Sequence, residues 1–323
     1  TVRMTRAESE AELARLLRAR LDRMLAAGTT LAEAKSGYGL DTASELKLLR
    51  VLQQVSPAQG QAGAKAAEGA HALELVHTLL GAHSVPESTD AESQTRLVAE
   101  EMVPAVAAAK ARGEVGAEFV DVFHETDIFD KDQTRRILVA GRAAGFDVNF
   151  HGDELSHAGS GELAGEDAVM ARAVSHLEKV SDEGIQAMLR RPTVGVLLPT
   201  TAYLMRLQPP PARRMIEAGV PVALGSDYNP NAHCLSMPAT MNLACVLCHM
   251  TMEEALVAAT LNAAASVNRA DDYGTLERGK YGDCIILAAP SWQHLIYQMA
   301  DPPITHVIKK GKVVFTSNAP STI

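Results

Sequence analysis

Aromatic residues make up only 4% of this 323-residue chain, and cysteine occurs four times, at Cys234, Cys245, Cys248 and Cys284. So few cysteines at this length exclude a disulfide-stapled scaffold. They fit a reducing compartment, so the expected location is cytoplasmic. No run of roughly 18 or more apolar residues is present, which excludes a spanning helix. Lys/Arg-rich runs are missing too, and the net charge is −9, which argues against a nucleic-acid partner. Nothing at the start resembles a signal peptide. The chain begins at Thr1 on a stretch that reads as helix over 1–27, with Leu13, Leu16, Leu17, Leu21, Met24 and Leu25 at helical spacing. The expectation is a piece of a longer protein, cut just before a helix.

What the chain has is a set of short β-rich runs that stop at polar residues. Leu79-Leu80-Gly81-Ala82 stops at His83, and Asp147–Phe150 runs into His151-Gly152-Asp153-Glu154. Ala173-Val174-Ser175 stops at His176, and Val222–Ser226 stops at Asp227. Strand candidates lie at 29–35, 73–82, 119–123, 147–150, 173–175, 193–198 and 220–226. A helical stretch follows each, including one over 92–112 and one over 161–170. Asp41 and Ser181 are expected helix caps. Seven strand–helix units predict an α/β fold, a (β/α)8 TIM-like barrel lacking its first strand, with the active site at the strand C-termini. The barrel is expected over 1–265. Residues 266–323 turn to short strands, with a hairpin through Lys310-Gly311-Lys312, and read as the C-terminal part of a β-sandwich. Its partner strands are expected upstream of Thr1. Residues 57–72 are rich in Ala, Gly and Gln and read as a mobile loop insertion. His71 and His77 are given no chemistry.

His151 and Glu154, three apart past a strand end, can offer an imidazole to a metal and a carboxylate to a nearby substrate atom. The spacing alone also arises by accident. His176 is either a hydrogen-bonded core histidine or, on the strand beside His151, a second imidazole on the same rim. Asp227 can cap a helix, but Tyr228-Asn229-Pro230-Asn231 reads as a turn, which favours a ligand or proton acceptor. Tyr38 and His83 suit a polar planar ligand. Lys35 is a candidate that can equally pair with a neighbouring acid. His124-Glu125 is a weaker candidate, placed behind the site. The Cys245–Cys248 pair has no second pair and helical flanks, so both read as core thiols rather than a zinc knuckle.

Longer motifs carry a resemblance. Lys35-Ser-Gly-Tyr-Gly-Leu-Asp41 with Glu45-Leu-Lys-Leu-Leu49, Gly81-Ala-His-Ser-Val-Pro86, Asn149-Phe-His-Gly-Asp-Glu154, Ser175-His-Leu-Glu178, Leu198-Pro-Thr-Thr-Ala-Tyr203 and Gly225-Ser-Asp-Tyr-Asn-Pro-Asn231 resemble the imidazolonepropionase family of metal-dependent amidohydrolases. The closing 274–283 segment resembles the general tail of the superfamily. The likeness implies one metal ion, Zn²⁺ or Fe³⁺, held by His151 and Asp227. It implies that Glu154 bonds a ring nitrogen and moves protons, and that His176 orients or polarises the attacked carbonyl. Tyr38 and His83 would contact substrate, and Asn229, Asn231 and the Ala232 backbone would line the product end. The implied reaction opens 4-imidazolone-5-propanoate with water to give N-formimino-L-glutamate in histidine degradation, with a homodimer as the candidate assembly.

One departure stands out. The family carries a His-x-His pair on its first barrel strand and an arginine soon after it; no His-x-His occurs here. Two ligands do not complete a site of three protein ligands and a water. The chain as given is therefore expected to bind metal poorly and turn over little or nothing. Two other readings stay open: a related cytosine- or guanine-type deaminase, and a truncated barrel without catalysis. A phosphate-binding TIM barrel lacks its Gly-rich late loop.

Overall fold

A computed structural model describes residues 1–56 and 70–317. Seven parallel strands follow one another in chain order across one curled sheet: β1 Leu31–Lys35, β2 Glu74–Ala82, β3 Ala117–His124, β4 Asp147–Gly152, β5 Ala173–His176, β6 Val194–Leu197 and β7 Val222–Leu224. Helices pack on the outer face. This is the expected half-closed TIM-like barrel, with β1 and β7 as its two edges. Arg20, on the helix Glu10–Ala26 that precedes β1, reaches the β7 end of the molecule and donates to the Tyr228 hydroxyl at 2.7 Å.

Strand alternation sorts the two faces. On β2, Leu75 and Leu79 join the large outer core beside the helices, while Val76 packs inside with Phe119, Val267 and Leu31. Ala173, Val194 and Ala223 fill the inner floor with Ala263 and Ala265, so the segment after helix Met252–Ala259 seals the bottom of the half-barrel. Above this floor the interior is polar. Glu33 accepts from Thr78 at 2.5 Å, and Asn149 donates to the Ser266 carbonyl at 3.1 Å.

Several boundaries differ from the sequence reading. The opening helix breaks into Val2–Ala7 and Glu10–Ala26, because the Ser9 hydroxyl caps the second by accepting from Glu12 N–H. The helix expected over 92–112 contains a π segment, Leu97–Met102, directly before Pro104. Proline has no N–H to continue the regular ladder, which favours the wider turn there. The helix expected over 161–170 ends early, at Ser160–Ala164. Asp41 and Ser181 cap as expected. Most of the 57–72 segment, residues 57–69, lies outside the described residues.

The small sheet comprises β8 Cys284–Leu287, β9 Ile304–Lys309 and β10 Lys312–Thr316, antiparallel in the order β10-β9-β8. Lys310 and Gly311 both take positive φ, +48° and +76°, which matches the twist of a two-residue hairpin. Lys309 ties this sheet to the barrel: its ammonium meets Glu74 at 2.6 Å and Asp283 at 2.7 Å. Among the described residues, no helix is long and apolar enough to cross a membrane.

His77, on β2, has a structural role with a measurable consequence. Its ring is fully buried and Nε2 donates to the Ser56 carbonyl at 2.9 Å. Burial lowers its pKa to about 4, against a small opposing pull from that carbonyl. The unfolded chain takes up this proton at its ordinary value, so the contribution is complete above about pH 6.5 and is lost as pH falls toward 4. It amounts to on the order of 3 kcal/mol. Chemical denaturation at pH 7.5 and 4.5 is expected to show a shallower acid loss in His77→Gln than in the parent; equal slopes would refute this.

Candidate functional site

The polar strand ends meet at one mouth of the half-barrel. Tyr38 and His83 stand edge to face with ring centroids 4.9 Å apart. His83 lies 5.8 Å from His151, and His151 lies 5.9 Å from His176, centroid to centroid. His176 Nε2 is 3.6 Å from a Glu154 carboxylate oxygen. Asp227 lies within electrostatic reach of Lys35, Tyr38, Glu154 and His176. Residues separated by almost 190 positions thus share one small volume.

Local structure explains each placement. Register pairs Phe123 of β3 with His151 of β4, and their rings stack at 4.6 Å. Simple alternation would put His176 on the face opposite Ser175. Left-handed backbone at His176 and Leu177, φ +77° and +65°, breaks that alternation and brings the imidazole beside His151. Glu154 sits in the loop after β4. Its backbone N–H, with those of Leu155 and Ser156, donates to the Glu125 carboxylate at 2.7, 3.1 and 2.9 Å. Glu125, a weak candidate in the sequence, therefore holds the loop that carries Glu154. His124 beside it bonds Ser160.

The Lys35–Asp41 segment is held from below. The buried Glu45 carboxylate accepts from the N–H groups of Gly37, Gly39 and Leu40 at 2.9, 2.7 and 2.8 Å. Gly37 takes φ +101°, a left-handed conformation that glycine adopts without strain. The Gly37 carbonyl then accepts from His83 Nδ1 at 2.8 Å, which leaves His83 Nε2 as the free nitrogen of that ring.

Beneath the mouth runs a charged chain in which Lys35 pairs with a neighbouring acid, as the sequence allowed, although the acid itself, Asp121, was missed. The fully buried Asp121 of β3 takes Lys35 Nζ on one oxygen and His151 Nδ1 on the other, the latter at 2.8 Å. Burial opposes its charge, yet His151 and Lys35 together hold its carboxyl down to about 2. For Lys35, burial pulls the pKa down, but Asp121 and Glu33 more than reverse this and leave it raised. His151 is held down to about 4 by burial, against Asp121, so its ring is neutral at pH 7. With Nδ1–H on Asp121, Nε2 carries the lone pair. The signal for Asp121 was present: in Phe119-Val-Asp-Val-Phe123 a two-residue period puts a carboxylate on the face of two phenylalanines.

Glu154 and His176, which face each other at the mouth, both have shifted acidity. Burial raises Glu154 to about 7; His176 opposes this, while Glu178, Asp227 and Glu125 add to it. Burial works to lower His176, but Glu178, Glu154 and Asp227 raise it to about 9.

Asp227 is not a helix cap. Its Oδ2 accepts from the Thr201 hydroxyl at 2.5 Å and from Asn229 Nδ2 at 3.0 Å. Asn229 Oδ1 accepts from the N–H groups of Asn231 and Ala232, so its amide closes the 227–232 loop. Asn231 is exposed and Ala232 buried. Hydrogen bonds join these residues to one another. Cys248 is buried and Cys245 partly so; all four cysteines are free.

A family model described as the amidohydrolase family matches residues 12–314. A protein of Dictyostelium discoideum named "Probable imidazolonepropionase" is 54% identical over 318 residues, covering 98% of this chain and 72% of that one. One of Nematostella vectensis with the same name is 49% identical, covering 98% of this chain and 71% of its own length. Among solved structures, an adenosine deaminase from Xanthomonas campestris with bound zinc matches with a TM-score of 0.69 at 15% identity, covering 96% of this chain and 71% of that one. That last likeness is one of fold. With seven parallel strands, a shared rim of strand-end side chains and near-half identity along almost its whole length, the chain belongs to the amidohydrolase family and, within it, to the imidazolonepropionases.

Proposed function

We propose that this chain acts on 4-imidazolone-5-propanoate, opening the cyclic amide with water to N-formimino-L-glutamate. The observation that carries the reading is the meeting of Tyr38, His83, His151, Glu154, His176 and Asp227 at one end of the sheet.

Members of the amidohydrolase family generally bind a divalent metal. A catalytic zinc takes three protein ligands and a water. Among the described residues, no three His, Cys, Asp or Glu side chains form a group able to hold a metal ion. His151 Nε2 and Asp227 are two donors, and Asp227 already accepts from Thr201 and Asn229. The residues present do not fit a Zn²⁺ or Fe³⁺ centre by themselves, so no step below passes through a metal.

The remaining chemistry is proton transfer and charge stabilisation. Glu154, near 7, exists in both forms at neutral pH. As carboxylate it takes a proton from the water attacking the ring carbonyl; as acid it returns that proton to the departing ring nitrogen. One C–O bond forms and one C–N bond breaks. The His176 imidazolium faces the oxygen on which negative charge develops. Tyr38 and His83 form an edge-to-face wall for a flat ring.

The incomplete donor set favours a second reading, a barrel that binds the imidazolone but turns it over slowly or not at all. One experiment addresses both. The purified chain, desalted in metal-free buffer, is incubated with 4-imidazolone-5-propanoate, with and without added Zn²⁺. The expected result is formimino-glutamate above the uncatalysed background, no ammonia release from aminated bases, and well under one metal per chain. Ammonia release would replace the imidazolone reading with a deaminase. A tightly held, stoichiometric metal would overturn the donor argument.

A further inference from the structure

Behind His176 sits a carboxylate that the reaction above does not use. The Glu178 side chain is fully buried, and its Oε2 lies 3.7 Å from His176 Nδ1. That is ion-pair distance, slightly beyond a hydrogen bond. Among the described residues, neither Glu178 oxygen nor His176 Nδ1 has a hydrogen-bond partner. A buried carboxylate without a partner is strongly unfavourable, so a nearby group must answer it. The imidazole is the group placed to do so.

The backbone is bent to achieve this. His176 and Leu177 are consecutive non-glycine residues in left-handed conformation, a strain that persists only where surrounding structure enforces it. The enforcement is visible. Leu177 N–H donates to the Gly152 carbonyl at 3.2 Å, and Lys179 N–H donates to the Asp153 carbonyl at 2.7 Å. These two bonds pin the 176–179 turn to the end of β4, the strand that also presents His151. The turn folds the chain back so that residue 178 faces the ring of residue 176. The other ring nitrogen, Nε2, is 3.6 Å from Glu154. One imidazole therefore stands between a buried, fixed carboxylate and one at the mouth.

We propose that Glu178 is the positioning residue for His176: it takes the Nδ1–H, sets the plane of the ring, and leaves Nε2–H aimed at the space where the substrate carbonyl oxygen sits. A carboxylate behind an imidazole does the same in Ser-His-Asp triads, where the acid orients the ring and never itself reacts. The part concerning the carbonyl rests on the hydrolase reading; the hold of Glu178 on Nδ1–H does not.

The test uses the full chain with Glu178→Ala and Glu178→Gln. Glutamine keeps the volume and can accept Nδ1–H through its amide oxygen; alanine cannot. Imidazole ¹H–¹⁵N spectra at fixed neutral pH, with the resonance assigned by its absence in His176→Gln, read the hydrogen bond directly. The expected result is a far-downfield, slowly exchanging Nδ1–H in the parent, a weaker shift in Glu178→Gln and loss in Glu178→Ala. Ring opening by Glu178→Ala should fall in kcat by roughly 10- to 100-fold, with KM little changed and partial recovery in Glu178→Gln. A folded Glu178→Ala chain that keeps the Nδ1–H signal overturns the proposal. A parent chain that shows the signal and its loss on substitution, but opens no ring, upholds the hold on His176 and sinks the hydrolase reading.

Discussion

Replacing Glu154 with glutamine is expected to lower kcat/KM for ring opening by about 10²- to 10⁴-fold. The substitution is isosteric, and Glu125 holds the loop through backbone N–H groups that the change leaves in place. What is lost is a group that exchanges protons near neutral pH. Burial raises the Glu154 carboxyl to about 7, so the carboxylate that accepts the water proton fades as pH drops below that value. The parent rate is expected to fall on this acidic side, and the variant should lose that dependence. Stability should move the other way. A carboxyl whose folded pKa is raised stabilises the fold most at low pH and loses that contribution as pH rises through the folded value. Glu154→Gln removes the burial of a charge above pH 7 and should melt no lower than the parent there. Steady-state rates from pH 5.5 to 8.5, with melting curves over the same range, check both. Unchanged turnover would take Glu154 out of the reaction.

The rim of the site was legible because strand ends are legible. An apolar run that stops at His83, His151, His176 or Asp227 needs no partner to be noticed, and β-to-helix order predicts that the stops share one face. The seven-strand half-barrel followed from the same runs. What escaped was most of the layer beneath; Glu125 was placed behind the site, but without its partners. Asp121 and Glu125 are carboxylates whose partners lie on other segments, while Glu45 and Glu178 meet groups only a few residues away that a bent backbone turns toward them. Asp121 waits for Lys35 from β1 and His151 from β4, and Glu125 waits for three backbone N–H groups past β4. A single acid in a strand or helix looks like surface charge until tertiary structure closes around it. The Asn229–Ala232 loop shows the reverse: its motif drew attention, while the geometry ties the Asn229 amide into closing its own turn around Asp227. Boundaries moved where short-range chemistry outweighed periodicity, as at the Ser9 cap and before Pro104.

Asp121→Ala is expected to destabilise the folded chain by about 3–5 kcal/mol at pH 7, the range for breaking a buried ion pair on one side. Asp121 is wholly buried and serves two neighbours at once. Its loss leaves Lys35 with Glu33, 3.6 Å away, and the more distant Asp227 as balancing charges among the described residues, and removes the acceptor of His151 Nδ1–H. The pH dependence follows from the depressed carboxyl. Its contribution is full above the unfolded value of 3.8 and is lost as pH falls through about 2. The gap between parent and variant should therefore be wide at pH 7 and narrow progressively below pH 4. Adding Lys35→Met to Asp121→Ala should recover part of the loss, because it removes the charge that the first change leaves uncompensated. Asp121→Asn should fall between, since an amide oxygen still accepts from His151 but carries no charge to answer Lys35. Urea unfolding of the four chains at pH 7 measures these differences. A single Asp121→Ala change within about 0.5 kcal/mol of the parent would mean that Lys35 and His151 find other partners, and that the charged chain beneath the mouth holds nothing in place.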